Sequence, residues 1–225
     1  MDSVIAKTIA NISEVVSANF IAPPDQNSWA QEERDWYNNF NVNHAQKHPT
    51  QNKAIQKQAN WKLRGTKDEI RQWTSEQDRP LLFFDRASKN NPGAAGAGGV
   101  IKDQEGKHIC SYEWGLGKTS NNAAEAYSLL LGTTILSNLG LKNPIIIGDS
   151  AIIISAMIND KDFNREGLNN IRKRITENIR SLGEVTFRHV LREHNAEADS
   201  IANKAVNRQQ GQVRENETIY DKDIP

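Results

Sequence analysis

The run "PIIIGD", residues 144–149, sets the tightest limit on what this chain can become. It is short, continuously apolar and has no polar face, which is the signature of a strand covered on both sides. A fold built on it must supply cover for two faces of a sheet. "LLFF", residues 81–84, also reads as a buried strand, and Asn, Pro and Gly follow shortly after it. Each run ends on a carboxylate, Asp149 in one case and Asp85 in the other. In open α/β sheets, ligands gather beyond the carboxyl ends of the strands. If these two strands are neighbours, their acids sit side by side at one sheet edge.

The segments between them complete an α/β pattern. "GAGGVIKD" and "KHICSYEWGLG" read as a second and third strand, and polar turns such as "DQEG" make antiparallel hairpins of them. "NNAAEAYSLLLGTTILSNLG" reads as a helix ended by Gly140. "AIIISAMI" and "REGLNNIRKRITENIRSLG" read as helices, "EVTFRHV" as a strand and "AEADSIANKAVN" as a last helix. Three strands followed by alternating helix and strand make a mixed sheet with helices on it. The expected domain runs from 80 to 208, followed by a polar tail at 209–225.

Residues 1–79 differ in character. Val4, Ile5, Ile9, Ile12, Val16 and Phe20 recur at helical spacing until Pro23-Pro24 stops them. A Gln/Asn-rich segment follows with scattered Trp29, Trp36, Tyr37, Phe40 and Trp61, and "TKDEIRQW" after Gly65 suits a short helix. This is expected to be a poorly ordered or helical extension whose aromatics dock on the next domain or bind a protein partner. His44 and His48 in "HAQKH" have helical metal spacing but lack a third ligand, and Pro49 ends any helix there.

Charge excludes little. The chain has 28 basic and 28 acidic residues, so no global field steers it to nucleic acid or membrane, although a local basic face remains open to it. Cys110 is alone and forms no internal disulfide. The amino end lacks the basic and apolar regions of a secretion signal, and no apolar run reaches the ~20 residues needed to span a bilayer. An intracellular protein, nuclear or cytoplasmic and without a membrane partner, is expected.

Four carboxylates carry the chemistry. Besides Asp85 and Asp149, Glu125 lies near the start of the long helix, read as its first turn, and Asp199 in the first turn of the last one. Each has an ordinary structural explanation. Asn122-x-x-Glu125 has capping-box spacing, Asp199 follows an Asn195 cap and complements the helix dipole, and the other two suit turns. Together they are harder to explain so, because crowded carboxylates repel unless protons or a cation compensate. Mg2+ takes hard oxygen ligands with positions left open, and two such ions about 3.5–4 Å apart clamp an in-line phosphoryl displacement. The pattern points to a two-metal nuclease site. The glycines of "PGAAGAGG" do not make a phosphate loop, since no Lys-Ser/Thr and no helix follows.

"FFDRASKNNPGAAGAGGVI", "TSNNAAEAYSLLLG", "IIIGDS" and "REHNAEADSIANKA" resemble, in order, the four acidic motifs of type 1 ribonucleases H, over about Leu81 to Asn207. "GAGGVI" followed by "SYEWGLG" is similar in flavour to the ribonuclease H-like domain of plant retroelement reverse transcriptases. The resemblance implies a ribonuclease H-like mixed five-stranded sheet flanked by helices. It implies two Mg2+ ions, with Mn2+ as the alternative, held by Asp85, Glu125, Asp149 and Asp199, with Asp85 bridging both. It implies cleavage of the RNA strand of an RNA–DNA hybrid, and a proton-transfer and product-release role for His194. Substrate contacts fall by the same resemblance on Asn91, Asn121, Asn122 and Ser150, the amides reaching 2′-hydroxyls in a wide, shallow minor groove. Arg172-Lys173-Arg174 would meet DNA-strand phosphates or simply be a solvated face.

Two departures bear on activity. The family pattern reads Asp-Gly-Ser/Ala where this chain has Asp85-Arg86-Ala87, and Asp-Ser-Gln where it has Asp149-Ser150-Ala151. A glycine kept for positive φ makes the arginine cost about 1–2 kcal/mol. A glycine kept for close approach makes a long side chain an obstruction. A guanidinium beside Asp85 would also compete with metal charge, or else swing outward to a phosphate. The leading expectation is an endoribonuclease, active or attenuated. The competing ones are a retroelement-derived module that binds nucleic acid or protein without turnover, and another nuclease of the superfamily.

Overall fold

The computed structural model describes residues 60–163, 168–211 and 213–217. The Val4–Phe20 pattern, the aromatics from Trp29 to Phe40 and the "HAQKH" histidines lie outside the described residues. Helix α1 (Lys67–Ser75) comes first, then strands β1 (Leu81–Asn90), β2 (Gly93–Lys102) and β3 (His108–Thr119). Helix α2 (Asn121–Asn138), β4 (Ile145–Gly148), α3 (Ala151–Ile158) and α4 (Leu168–Leu182) follow. The chain then forms β5 (Thr186–His189), a 3-10 turn (Arg192–His194), α5 (Ala196–Ala205) and β6 (Val213–Glu217).

The strands order as β5-β4-β1-β2-β3-β6. β1, β2 and β3 are antiparallel, while β1, β4 and β5 run parallel, with Leu81 beside Ile145 and Phe83 beside Ile147. The two strands that end on acids in the sequence are therefore neighbours. The expected count of five is corrected to six, because β6, in the segment read as a polar tail, pairs with β3 from Trp114↔Val213 to Cys110↔Glu217. "VRENE" offers a single apolar residue, so its pairing leaves almost no hydrophobic pattern to read.

Strand alternation divides the core. Leu82, Phe84 and Ile146 face α2, a helix buried on nearly every side from Ala123 to Leu136. Ile171, Ile175, Ile179 and Leu182 make one stripe along α4, and that stripe closes over α2. Leu81, Ile145 and Ile147 face the other way, into a second cluster with Val190, Ile70, Leu63 and Trp73. "PIIIGD" is thus covered on both faces, as its composition demands. The second cover comes from residues 61–75, which were grouped by sequence with the extension. Thr66 and Glu69 form a full capping box that starts α1.

The glycines of β2 have a packing role. A Cβ on Gly96 would lie 2.5 Å from the Val206 amide nitrogen, and one on Gly98 would lie 2.4 Å from that of Ala202. Helix α5, with Ala198, Ala202 and Ala205 buried, presses directly on the strand there. This contact sets how closely the C-terminal half of α5 approaches β2. No described helix is long and apolar enough to cross a membrane. Gly98→Val should destabilise the domain by about 2 kcal/mol or more, the cost of overpacking against backbone, read as a lowered denaturation midpoint.

Candidate active site

Asp85 does not close its strand. β1 continues to Asn90 against β2, but its parallel pairing with β4 stops at Phe83↔Ile147. Asp85 therefore stands where β1 outruns its neighbour, and Asp149 follows immediately after Gly148 of β4. Glu125 lies just beyond the first turn of α2, because Ser120, not Asn122, takes the cap position and accepts from the Ala123 amide. The capping explanation of Glu125 thereby fails, and its side chain turns to the acids instead.

Carboxylate oxygens of Asp85, Glu125 and Asp149 all lie within 4.8 Å of one another. Asp85 and Glu125 are each only 3% exposed. Asp85 Oδ1 accepts from the Arg86 amide at 2.7 Å, whereas Asp85 Oδ2 and Glu125 Oε1 are buried without a hydrogen-bond partner. Burial, then the neighbouring Asp149 charge, pushes the Asp85 carboxyl up to about 7. Burial, then Asp85 and Asp149, raises Glu125 well above its ordinary value. Asp149 is raised too, by burial, against the pull of Arg192 and Arg86. Buried polar atoms normally find partners, and these oxygens have none. The donor set fits a divalent cation that takes hard oxygens. Asp85, Glu125 and Asp149 can hold one.

The fourth acid stands apart from this group. Asp199 accepts from Arg192 Nε at 3.0 Å, from the Arg192 terminal nitrogen, and from Asn203 Nδ2 at 3.0 Å. Its charge still reaches Asp85 and Asp149. Asn195 occupies the cap position of α5 but makes no side-chain cap; its Nδ2 donates to the Phe84 carbonyl at 2.9 Å and ties the start of the helix to β1. Arg192 went unremarked in the sequence, seven residues before its partner. Only the 3-10 turn brings it onto Asp199.

His194 lies in that turn with its side chain 2% exposed and both ring nitrogens without hydrogen bonds, outside the acid group. Asn91 Oδ1 accepts from the Asn121 amide at 3.1 Å, joining the β1–β2 turn to α2. Asn121 Oδ1 is buried without a partner, and Asn122 is half-buried beside it. Ser150 caps α3. Arg86 sits in extended strand opposite Ala97, so the left-handed backbone that would penalise a side chain does not arise. Its Nε lies 3.7 Å from Glu125 Oε2. Arg172 pairs with Asp160 and Asp162. His189, also unremarked in the sequence, places Nε2 3.1 Å from the Asp149 carbonyl oxygen.

These shifts fix a pH dependence. Asp85 titrates near 7 when folded against an ordinary 3.8, so the native state keeps a proton that the unfolded chain has released. Stability is then full below about 4 and declines as pH rises through about 7. Thermal melts without divalent ions should fall between about pH 5 and about pH 8, and Asp85→Asn should flatten that fall. Added Mg2+ should raise the melting temperature more at the higher pH, since the cation displaces protons.

Residues 83–205, more than half the chain, match the family model described as reverse transcriptase-like. Ribonuclease HI of Halobacterium salinarum is 29% identical over 128 residues, 57% of this chain. The chain spans 64% of that curated relative's length. The crystal structure of RNase H1 from the same archaeon superposes with a TM-score of 0.54 at 29% identity, covering 57% of this chain and 98% of that one. LC11-RNase H1, isolated from compost by a metagenomic approach and solved in complex with an RNA/DNA hybrid, gives 0.53 at 27% identity, covering 57% and 97%. A mixed sheet with acids at its parallel edge, matched over residues 83–205 to the reverse transcriptase-like model and similar to these ribonucleases H, makes the chain a member of the type 1 ribonuclease H family.

Proposed function

We propose that the chain is an endoribonuclease that hydrolyses the RNA strand of RNA–DNA hybrids with divalent cations held at Asp85, Glu125 and Asp149. The observation that carries this is the trio of carboxylates within 4.8 Å, with buried oxygens that no protein donor satisfies. Bound Mg2+ would supply charge stabilisation for the phosphoryl group and a more acidic water for attack. The chain's part is to hold three carboxylates converged before substrate arrives, so that no reorganisation is needed at the reacting phosphate. Asp199 would serve a second ion with Asp85 on leaving Arg192. Asn121 and Asn122 at the start of α2, Ser150 at the start of α3, and Asn91, which accepts from the Asn121 amide, would meet the sugar-phosphate backbone. His194 would take part in proton transfer only on turning out of the interior.

A second reading has its own observation. Arg86 stands against Glu125, and Arg192 against Asp199, so two guanidinium groups occupy positions where cations would act. This favours an attenuated enzyme, or a module that binds nucleic acid without turnover.

Cleavage of a labelled hybrid in Mg2+ or Mn2+ separates the two. The parent chain should cut internally, and Asp85→Asn should lower the rate on the order of 10²-fold or more. Arg86→Gly should raise it a few-fold, the scale of a partly exposed ion pair. Silence of all three proteins would sink the enzyme reading, and trimming from the ends would replace endonuclease by exonuclease. By calorimetric titration, Arg192→Ala should bind Mn2+ several-fold more tightly, since a competing cation is gone.

A further inference from the structure

Residues 61–64, "WKLR", lie outside the matched family region and form an added edge on the sheet. The His189 amide donates to the Trp61 carbonyl at 2.8 Å, and the Leu63 amide donates to the His189 carbonyl at 2.8 Å. The resulting bridge, Lys62 to His189, is parallel. The segment therefore runs in the same direction as β5, β4 and β1, toward the edge where Asp149 emerges.

Burial alternates along it. Trp61 and Leu63 are half-buried against the two cores, and Trp61 meets the His189 ring edge-on at 5.7 Å. Lys62 and Arg64 are exposed. Among the described residues neither has an ion-pair partner, unlike Arg86 and Arg192 beside the acids. Lys62 Nζ rests 4.9 Å from the centre of the Trp61 ring, which holds the cation without neutralising it. Glu69, five residues beyond Arg64, is committed to the Thr66 amide and hydroxyl. The ridge is one residue from the site, because the His189 ring that it flanks also contacts the Asp149 carbonyl at 3.1 Å.

We propose that the 61–64 edge is a phosphate-binding ridge, on which Lys62 and Arg64 grip the backbone of a nucleic acid that lies across the acids. Exposed residues two apart on a strand stand about 6.6 Å from one another, so the pair meets two backbone positions rather than one. The contacts are to charge, not to bases, and carry no sequence preference. This rests on the proposed hybrid-binding function and adds to it a surface that the family match does not include.

The test uses the full chain with Asp85→Asn, so that substrate survives, and a fluorescent RNA–DNA hybrid in Mg2+. Affinity is followed by anisotropy across a salt series. Lys62→Gln with Arg64→Gln should weaken binding several-fold at low salt and reduce the slope of log affinity against log salt by about 1.5, as expected for two lost phosphate contacts. Lys62→Arg with Arg64→Lys should keep the parent slope, which separates charge from local structure. An unchanged slope in the Gln pair, with the parent binding normally, overturns the ridge and leaves the hybrid-binding function standing. A parent that binds no hybrid at any salt overturns both.

Discussion

Three carboxylates within 4.8 Å of one another, two of them buried and Asp149 half-buried, are the constraint around which the rest of the structure is arranged. Such a group is unfavourable by itself, because burial and mutual repulsion both oppose its charged form. The fold tolerates it only because the elements bearing the acids are fixed by contacts elsewhere. β1 and β4 are buried on both faces, α2 is enclosed by the sheet and α4, and α5 is pressed against Gly96 and Gly98. The acids converge because their carriers have no other place to go.

Without a cation, the site balances its charge with protons and arginines. Protons remain on Asp85 and Glu125 under conditions in which exposed acids would lose them. Arg86 approaches Glu125, and Arg192 grips Asp199. A divalent ion must compete with both, so metal occupancy, pH and the two guanidinium groups are linked in one equilibrium. Of the two arginines, Arg192 is the more open to solvent, its side chain 69% exposed.

Legibility followed the strength of the local pattern. "PIIIGD" and "LLFF" read correctly as buried strands, since a continuous apolar run has few other uses, and the structure makes them neighbours. β6 did not, because its polar residues pair through backbone atoms at an edge. Residues 61–75 read as extension, yet their few apolar side chains complete the second core. The spacing Asn122-x-x-Glu125 suggested a cap, and Ser120 took that position instead. His194 read as a loop residue with a proton-transfer role, and the 3-10 turn holds its side chain buried while exposing Arg192.

The sequence by itself determined the types of the elements from β1 to α5, the family and the places of the four acids in the chain, because hydrophobic periodicity and motif order are local properties of a chain. The tertiary structure alone decided which acids meet. Three converge where β1 outruns β4, and the fourth is drawn off by an arginine that a single 3-10 turn supplies. It also decided that residues 61–64, which precede the family region, lie along β5 with Lys62 bridged to His189. These are matters of distance between segments far apart in the chain, and charge acts through distance, not through sequence order.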